Sequence, residues 1–355
     1  MPDVPGTAND LPAVASAGFT PRPFTPAWWL PGAHAQTVAG KYLRPGSGVR
    51  YRRERIDTPD GDFLDLDWAR VDGQPAPAEG APYVVVVHGL EGSSDSAYVK
   101  EICRALWERG IRSVAMNFRG CGGEPNRLPR FYHAGDTGDV AHVLEMLALR
   151  FPGVPLGAVG FSLGANVVLK YLGERGDASL ARAAVAISVP FDLGAGADKL
   201  AASFTGRLYT GIFIRSLRAK YLAKRHLLGD TCDEPRVLAA KTFRDFDDAA
   251  TARIHGFRDV DDYYGSSSSH HFLPRIRVPT LIIHAADDPF VPDEAIPRAA
   301  MAANPALTAA IVPHGGHVGF IAGTPRRPEL WAEAEAARFL ETMLIGTRGQ
   351  DRGGG

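Results

Sequence analysis

Residues 155 to 172 decide the fold, and they read Pro155-Leu-Gly-Ala-Val-Gly160-Phe-Ser162-Leu-Gly164-Ala-Asn-Val-Val-Leu-Lys-Tyr-Leu172. An apolar run typical of a buried strand stops at a serine, and a helix-like stretch follows at once. Ser162 stands between Gly160 and Gly164, and a sharp turn from strand to helix requires such small neighbours. The pattern predicts that the Ser162 hydroxyl is presented at the end of a sheet, where it can act as a nucleophile.

A nucleophilic serine needs a histidine base and a carboxylate that orients the histidine. The stretch Pro279-Thr-Leu-Ile-Ile-His-Ala-Ala-Asp287-Asp288-Pro289 predicts a strand that ends at two aspartates. We favour Asp288 as the acid, because it precedes Pro289 where the loop turns back. The alternative is that both aspartates cap a helix that begins near Asp293.

The histidine candidate follows the next predicted strand, in the loop His314-Gly-Gly-His317-Val-Gly319. We favour His317, because its glycine neighbours leave the loop free to place an imidazole between serine and aspartate, whereas His314 adjoins Pro313. The His-x-x-His spacing could also suggest a metal. However, no His-Glu-x-x-His helix accompanies it and the three cysteines are scattered, so we expect neither a metal nor an organic cofactor.

Two backbone N–H groups are needed to stabilise the oxyanion that forms when a serine attacks a carbonyl. The apolar run 83–87 predicts a strand, and the loop His88-Gly-Leu90-Glu-Gly92 follows it. We expect the N–H groups of Leu90 and Leu163 to be the donors, and His88 to hold the backbone of the loop rather than to act as a base. The glycines expected to support this arrangement are Gly89, Gly160 and Gly164.

Further motifs are spread along the chain. They are Ala27-Trp-Trp-Leu-Pro-Gly-Ala-His-Ala-Gln-Thr37, Asp60-Gly-Asp-Phe-Leu-Asp-Leu-Asp-Trp68, Asn117-Phe-Arg-Gly-Cys-Gly-Gly123 and Asp287-Asp-Pro-Phe290. With the two motifs around His88 and Ser162, they make the chain similar to the YheT-type branch of the α/β-hydrolase superfamily, from about residue 24 to 342. The resemblance implies a Ser162, Asp288 and His317 triad. It also implies an α/β-hydrolase fold: a mostly parallel eight-stranded sheet covered by helices on both faces, with a helical lid insertion.

Between the motifs, short apolar runs alternate with longer amphipathic ones, as in a sheet covered by helices. An opening hairpin is predicted around Pro59-Asp60-Gly61. Further strands are predicted near 83–88, 111–116, 155–161, 183–189, 279–285 and 308–312. Helices are predicted near 96–109, 136–150, 163–175, 293–303 and 328–344.

The segment 193–275 shows helical periodicity without a strand, and we predict that it is the lid. The hydrolase core then comprises residues 23–192 and 276–345. Flexible tails are expected at residues 1–22 and 346–355, and a mobile linker at residues 266–271.

Residues 199–229 contain seven lysines and arginines but no acid, and apolar residues recur there at helical spacing. One interpretation is a lid that contacts an anionic membrane or attracts a phosphorylated head group. We favour the other interpretation, in which these cations form a solvated basic face and pair with acids elsewhere, such as Asp245, Asp247 and Asp248.

Composition is that of a soluble enzyme, with 45% hydrophobic and 22% charged residues and a net charge of −1, so no global field recruits nucleic acid. The first ten residues lack the basic start of a signal peptide, and a cytoplasmic location is expected. The predicted activity is hydrolysis of a carboxylic ester with a short- to medium-chain or acylglycerol-like acyl group, through an acyl-enzyme. The alternatives are an acyltransferase or ester synthase that passes the acyl group to an alcohol, and a non-catalytic ligand-binding protein.

Overall fold

A central sheet of eight strands organises the computed structural model, which describes residues 18–44 and 48–346. The strands are β1 (Val49–Asp57), β2 (Phe63–Val71), β3 (Tyr83–Val87), β4 (Arg112–Asn117), β5 (Leu156–Phe161), β6 (Ala183–Ile187), β7 (Thr280–Ala285) and β8 (Leu307–Val312). Their order across the sheet is β1-β2-β4-β3-β5-β6-β7-β8. Strand β2 pairs antiparallel with β1 and β4, and the remaining pairs are parallel. The predicted fold class is confirmed.

Helices cover both faces of this sheet. In chain order, the α-helices of the described residues are α1 (Gly32–Tyr42), α2 (Ala97–Trp107), α3 (Gly138–Arg150), α4 (Leu163–Arg175), α5 (Leu193–Ala202), α6 (Phe204–Leu228), α7 (Glu234–Ala239), α8 (Phe243–Phe246), α9 (Ala252–Ile254), α10 (Val260–Ser267), α11 (Arg298–Ala303) and α12 (Trp331–Leu344). Apolar side chains of α3 and α4 belong to the core on one face, and those of α2 and α12 to the core on the other.

Strand β3 shows why its sequence is an unbroken apolar run. Its side chains alternate between the two cores: Val85 and Val87 lie in one, and Val84 and Val86 in the other. All four are fully buried. Burial of each valine contributes about 1.5–3 kcal/mol, so a polar residue at any of these positions would be costly. A central parallel strand therefore lacks the alternating pattern of a strand with one solvated face.

The segment 193–275 was predicted to be a lid, and we keep the name lid for it. It contains α5 to α10 and lies between β6 and β7 in the chain. Asp192 and Ser203 begin its first two helices by accepting hydrogen bonds from backbone N–H groups. Ile214 and Tyr221 of α6 pack with Val237, Phe246 and other lid residues in a small apolar cluster. In the described residues no helix combines the length and the apolar character that crossing a bilayer requires.

Two elements near the termini were not predicted. The buried residues of helix α1 are Gln36, Ala39 and Gly40. Because none of them is a large apolar residue, the sequence shows little of the apolar periodicity that indicates a helix. A hairpin of β9 (Ile321–Thr324) and β10 (Arg327–Leu330) occupies the start of the region predicted as a helix from 328, and α12 begins only at Trp331. Strands of four residues are too short for an alternating pattern to be recognised.

The boundary of the predicted N-terminal tail also needs correction. Phe19 is buried against Phe339 with a ring-centroid distance of 5.0 Å, and Arg22 pairs with Glu335. Residues 18–22 therefore pack on α12, while residues 1–17 and 347–355 of the predicted tails lie outside the described residues.

The prediction of a mobile linker at 266–271 is wrong. Ser267, Ser268 and Ser269 are buried, and Asn166 of α4 contacts the backbone on either side of Ser268. The Asn166 side-chain amide donates to the carbonyls of Ala134 and Ser267 at 2.8 Å each, and its oxygen accepts from the Ser269 N–H at 2.9 Å. One buried side chain thus fixes the end of the lid to the core.

We expect Asn166→Ala to lower the free energy of unfolding by about 3 kcal/mol, because three buried backbone groups lose their partners at about 1 kcal/mol or more each. Denaturant titration measures this loss. Ser266→Ala is the matched control, since the Ser266 hydroxyl donates only to carbonyls within its own helix and is expected to cost less than about 0.5 kcal/mol. Equal losses in the two variants would contradict the assigned role of Asn166.

Candidate active site

The turn between β5 and α4 holds Ser162 in a conformation that few residues adopt. Its φ is 51° and its ψ is −119°, outside the regions open to side chains without strain. A Cβ on Gly160 would lie 2.4 Å from the Gly164 carbonyl oxygen, and a Cβ on Gly164 would lie 2.4 Å from the His88 carbonyl oxygen. Both positions therefore require glycine, as the sequence pattern around the serine predicts.

Ser162, His317 and Asp288 lie together in a hydrogen-bonded line. The Ser162 hydroxyl donates to His317 Nε2 at 2.9 Å, and His317 Nδ1–H donates to Asp288 Oδ2 at 2.7 Å. Asp288 is fully buried. Burial alone would raise the pKa of its carboxyl, but His317 and the other donors around it lower this pKa below the ordinary value. The arrangement keeps Asp288 ionised and fixes which nitrogen of His317 faces the serine.

The neighbouring candidates have other positions. Asp287 accepts the backbone N–H groups of Gly315 and Gly316 at 2.9 Å each, so it shapes the loop that carries His317. His314 is exposed and contacts Asp287 at 3.2 Å. Neither aspartate caps the short helical turn at Asp293.

The loop after β3 lies beside the serine. The Gly92 N–H donates to the Gly89 carbonyl at 3.0 Å, which closes a turn with Leu90 and Glu91 at its centre. Leu90 and Leu163 both line the cavity above Ser162. Neither of their N–H groups has an acceptor among residues 18–44 and 48–346. Leu163 is also the first residue of α4, where helix geometry leaves N–H groups without partners.

His88 lies beneath this loop and is fully buried. The Phe118 N–H donates to His88 Nε2 at 3.1 Å, and the opposite nitrogen donates to the Gly89 carbonyl at 2.7 Å. Burial lowers the pKa of His88 to about 4, so the ring is neutral. These contacts fit a residue that holds backbone rather than one that transfers protons.

A cavity of about 720 Å³ opens above Ser162. This volume lies within the range of about 300–1,000 Å³ that is usual for small-molecule sites. Its walls come from the Leu90 loop, from α1 and from the lid helices α5 and α6, and they are mainly apolar. The apolar residues that line the cavity include Leu193, Leu200, Ile212, Phe213, Leu217 and Phe290.

The cations of residues 199–229 do not pair with the acids we predicted. Lys199 Nζ donates to the carbonyls of Asp288 and Val291 at 2.7 and 2.9 Å, and Lys220 forms an ion pair with Glu91 at 2.8 Å. Lys224 donates to three oxygens in the loop 126–130. Asp245, Asp247 and Asp248 instead contact other residues of the lid. The lid therefore directs several cations inward to the core.

Three further residues contact or lie near His317 and Asp288, and the sequence did not predict them. The Phe290 ring stacks on His317 with centroids 4.3 Å apart, and Thr37 of α1 accepts the His317 N–H at 2.9 Å. His284 lies fully buried with Nε2 4.0 Å from Asp288 Oδ2, and burial lowers its pKa to about 4. Thr37 and Phe290 stand within quoted motifs, but no pattern indicates that they contact His317.

Comparison with known proteins gives a consistent result. Residues 82–324 match the family described as the alpha/beta hydrolase fold. The chain is 39% identical over 323 residues to "Putative esterase YheT" of Escherichia coli K12, covering 90% of this chain and 94% of that protein. It is 30% identical to phospholipase ABHD3 of Mus musculus, covering 90% and 79% of the two chains.

A solved structure supports the fold alone. The esterase Pf2001 of Pyrococcus furiosus superimposes with a TM-score of 0.55 at 18% identity, over 84% of this chain and 93% of that one. With the extended sequence matches, it leads to one conclusion. The chain belongs to the α/β-hydrolase family, in the branch that includes YheT and ABHD3.

Proposed function

We propose that this protein is a serine hydrolase that cleaves carboxylic esters through an acyl-enzyme intermediate. The observation that carries the proposal is the continuous line of hydrogen bonds from Ser162 Oγ through His317 to the Asp288 carboxylate. The same three groups in the same order activate serine in many unrelated hydrolases. Relatives named as an esterase and a phospholipase support the assignment.

In the first half of the reaction, Ser162 Oγ attacks the ester carbonyl while His317 Nε2 takes its proton. Asp288 stabilises the resulting imidazolium. The N–H groups of Leu90 and Leu163 receive the oxyanion, which is where such donors act most strongly on the barrier. The C–O bond to the alcohol then breaks, and His317 returns the proton to the departing alkoxide.

In the second half, water attacks the acyl-enzyme and His317 again takes the proton. The C–O bond to Ser162 breaks, the carboxylic acid leaves, and Ser162 Oγ regains its proton. An alcohol could take the place of the water in the same step and would then give a new ester. Hydrolysis and acyl transfer thus share every residue of the site and differ in the acceptor.

The walls of the cavity favour a substrate with an apolar acyl group. The apolar residues that line it include Leu90 and, from the lid, Leu193, Leu200, Phe213 and Leu217. Removing an acyl chain from water against such side chains yields about 0.8 kcal/mol for each CH₂ group. We infer that the acyl group is a short to medium aliphatic chain, as in a simple ester or an acylglycerol.

We also infer that the mouth of this cavity contacts the surface of a lipid aggregate. Val38 and Tyr42 of α1 and Ile212 of α6 line the cavity and yet are largely exposed. Phe204 and Leu208 continue the exposed face of α6 at four-residue spacing and are 69% and 56% exposed. We call these five residues the rim. Apolar residues grouped around an opening on a surface mark an interaction site.

Charge narrows the choice of partner for the rim. Neither α1 nor α6 contains an acid. Lys41 and Arg207 adjoin the rim residues Tyr42 and Leu208 in sequence, and Arg215 lies three residues after Ile212. An apolar face with flanking cations suits the boundary between lipid head groups and acyl chains. Because Lys199, Lys220 and Lys224 are engaged inward, the apolar rim rather than the basic segment 199–229 as a whole carries this inference.

We expect Ser162→Ala to lower kcat roughly 10⁴- to 10⁶-fold for every member of a panel of esters with increasing acyl length, because the triad works as a unit. Release of acid and alcohol measures turnover, with and without added ethanol. Labelling by a fluorophosphonate, one per chain in the wild type and none in the variant, is the control. Turnover that survives in the variant would reject the proposal, and ethyl ester as the main product would make the protein an acyltransferase.

Asp288→Asn is expected to lower kcat about 10⁴-fold, because an amide in that position favours the wrong tautomer of His317. Asp287→Asn, at the adjacent position, is the matched control. Its side-chain oxygen can still accept the Gly315 and Gly316 N–H groups, so we expect a loss of at most about tenfold. The reverse ranking of the two variants would assign the acid to Asp287.

The double variant Phe204→Ser/Leu208→Ser is expected to weaken binding to vesicles about tenfold or more, since each apolar side chain contributes about 1.5–3 kcal/mol when it leaves water. Flotation with zwitterionic and with mixed anionic vesicles measures it. Leu149→Ser is the control, because Leu149 is 84% exposed but lies on α3, away from the cavity. Unchanged binding in the double variant would exclude the rim.

A further inference from the structure

Glu91 occupies a backbone position that glycine would fill without strain. Its φ is 54°, and it is the third residue of the turn that the Gly92 N–H closes onto the Gly89 carbonyl. A positive φ at this place in a turn favours glycine and costs other residues about 1 kcal/mol or more. A glutamate held there indicates that its side chain does something a glycine cannot.

The Glu91 side chain is buried and has partners on both oxygens. Oε1 accepts from the Tyr132 hydroxyl and from Lys220 Nζ, each at 2.8 Å, and Oε2 accepts from the Ser216 hydroxyl. The Tyr132 oxygen also accepts the Glu91 backbone N–H at 2.8 Å. The Tyr132 hydroxyl thus bonds to both the backbone N–H and the side chain of Glu91. These two bonds fix the peptide between Leu90 and Glu91.

Two of these partners belong to the lid. Ser216 and Lys220 are four residues apart on α6, so they lie on one face of the helix. Lys220 Nζ also contacts Cys121 Sγ at 2.9 Å and lies over the Tyr132 ring. Burial alone would lower the pKa of Lys220, but Cys121 and Glu91 raise it above the ordinary value, so the ammonium stays charged.

We propose that Glu91 is a positioning residue that couples helix α6 of the lid to the oxyanion donor Leu90. The inference rests on the proposed function, because it assumes that the Leu90 N–H receives the oxyanion. With α6 in place, Lys220 and Ser216 hold Glu91, and Glu91 holds the peptide plane next to it. Without them, a strained turn is free to relax and the Leu90 N–H no longer points at the carbonyl oxygen.

The coupling gives the lid a role in catalysis beyond covering the cavity. An oxyanion donor contributes only when it is aimed before the charge develops, and removal of one donor typically lowers kcat about 10²- to 10³-fold. Misalignment of the Leu90 N–H is milder than removal of a donor, so we expect it to lower kcat about 10- to 100-fold. Substrate binding does not need the donor, so KM is expected to change little.

Lys220→Met and Lys224→Met form the test pair, since both remove an inward-facing lysine of α6 and lie one turn apart. Lys224 holds the loop 126–130 and does not line the cavity. We expect Lys220→Met to lower kcat about 10- to 100-fold with KM within about threefold. We expect Lys224→Met to lower the melting temperature but to leave kcat within about threefold. Ser216→Ala is a milder variant, with an expected loss of about threefold.

A second measurement distinguishes a misdirected Leu90 N–H from a general loss of lid structure. An alkyl boronic acid forms a tetrahedral adduct on serine and requires the oxyanion donors, whereas a non-hydrolysable ether of the same chain length does not. In Lys220→Met and in Glu91→Gln, the affinity for the boronic acid is expected to fall in proportion to kcat/KM, while the affinity for the ether stays within about twofold. A lid that is merely loosened would weaken binding of both.

The outcomes distinguish this inference from the proposed function. If Ser162→Ala keeps turnover, the proposed function fails and the coupling fails with it. If Ser162→Ala is inactive but Lys220→Met retains full kcat and full affinity for the boronic acid, only the coupling is rejected. Equal losses of kcat in Lys220→Met and Lys224→Met would also reject it, since general lid stability would then explain both.

Discussion

The close packing of backbone around Ser162 is the constraint on which the site depends. The serine keeps a φ of 51° because its neighbours leave no room for another course of the chain: Gly164 abuts the carbonyls of Val87 and His88, and Gly160 abuts Gly164 and Ala165. These contacts join the end of β5, the start of α4 and the loop after β3. The packing of three elements therefore maintains the strain at one residue. It also places Ser162 against Gly89, the residue before Leu90.

The parallel direction of the strands brings the other residues of the candidate site together. Ser162, Asp288 and the Leu90 loop follow β5, β7 and β3, and His317 follows β8, so all four leave the sheet at its carboxyl edge. Residues distant in sequence meet there without long excursions, which is the usual reason that sites form at this edge. Helix α1 adds the final support, since Thr37 accepts the His317 N–H and Gln36 bonds to the backbone of Ile321 in both directions.

A structural feature could be predicted from the sequence where it depends on residues that are close together in the chain. The six strands predicted between residues 83 and 312 and the turn at Ser162 depend on neighbours within a few residues. Each of these six strands begins and ends within two residues of its predicted position. The contacts of residues 266–271 depend on Asn166, about a hundred residues away, and no local pattern distinguishes a buried serine run from a mobile one. The same holds for the hairpin of β9 and β10, which takes its place from contacts with Gln36 and Trp29.

The lid illustrates why charge composition alone misleads. A segment of seven cations without an acid suggested either pairing inside the lid or attraction to an anionic surface, yet Lys199 and Lys224 are bound by carbonyl oxygens of the core and Lys220 by a single carboxylate. A count of charged residues does not reveal such interactions, because backbone carbonyl oxygens carry no formal charge. Because Lys199 donates to the Asp288 carbonyl and Lys220 to the Glu91 carboxylate, the lid is bonded to the core at Asp288 and at the loop after β3, both beside the candidate active site. These bonds to the core account for three of the seven cations, Lys199, Lys220 and Lys224, without an external partner.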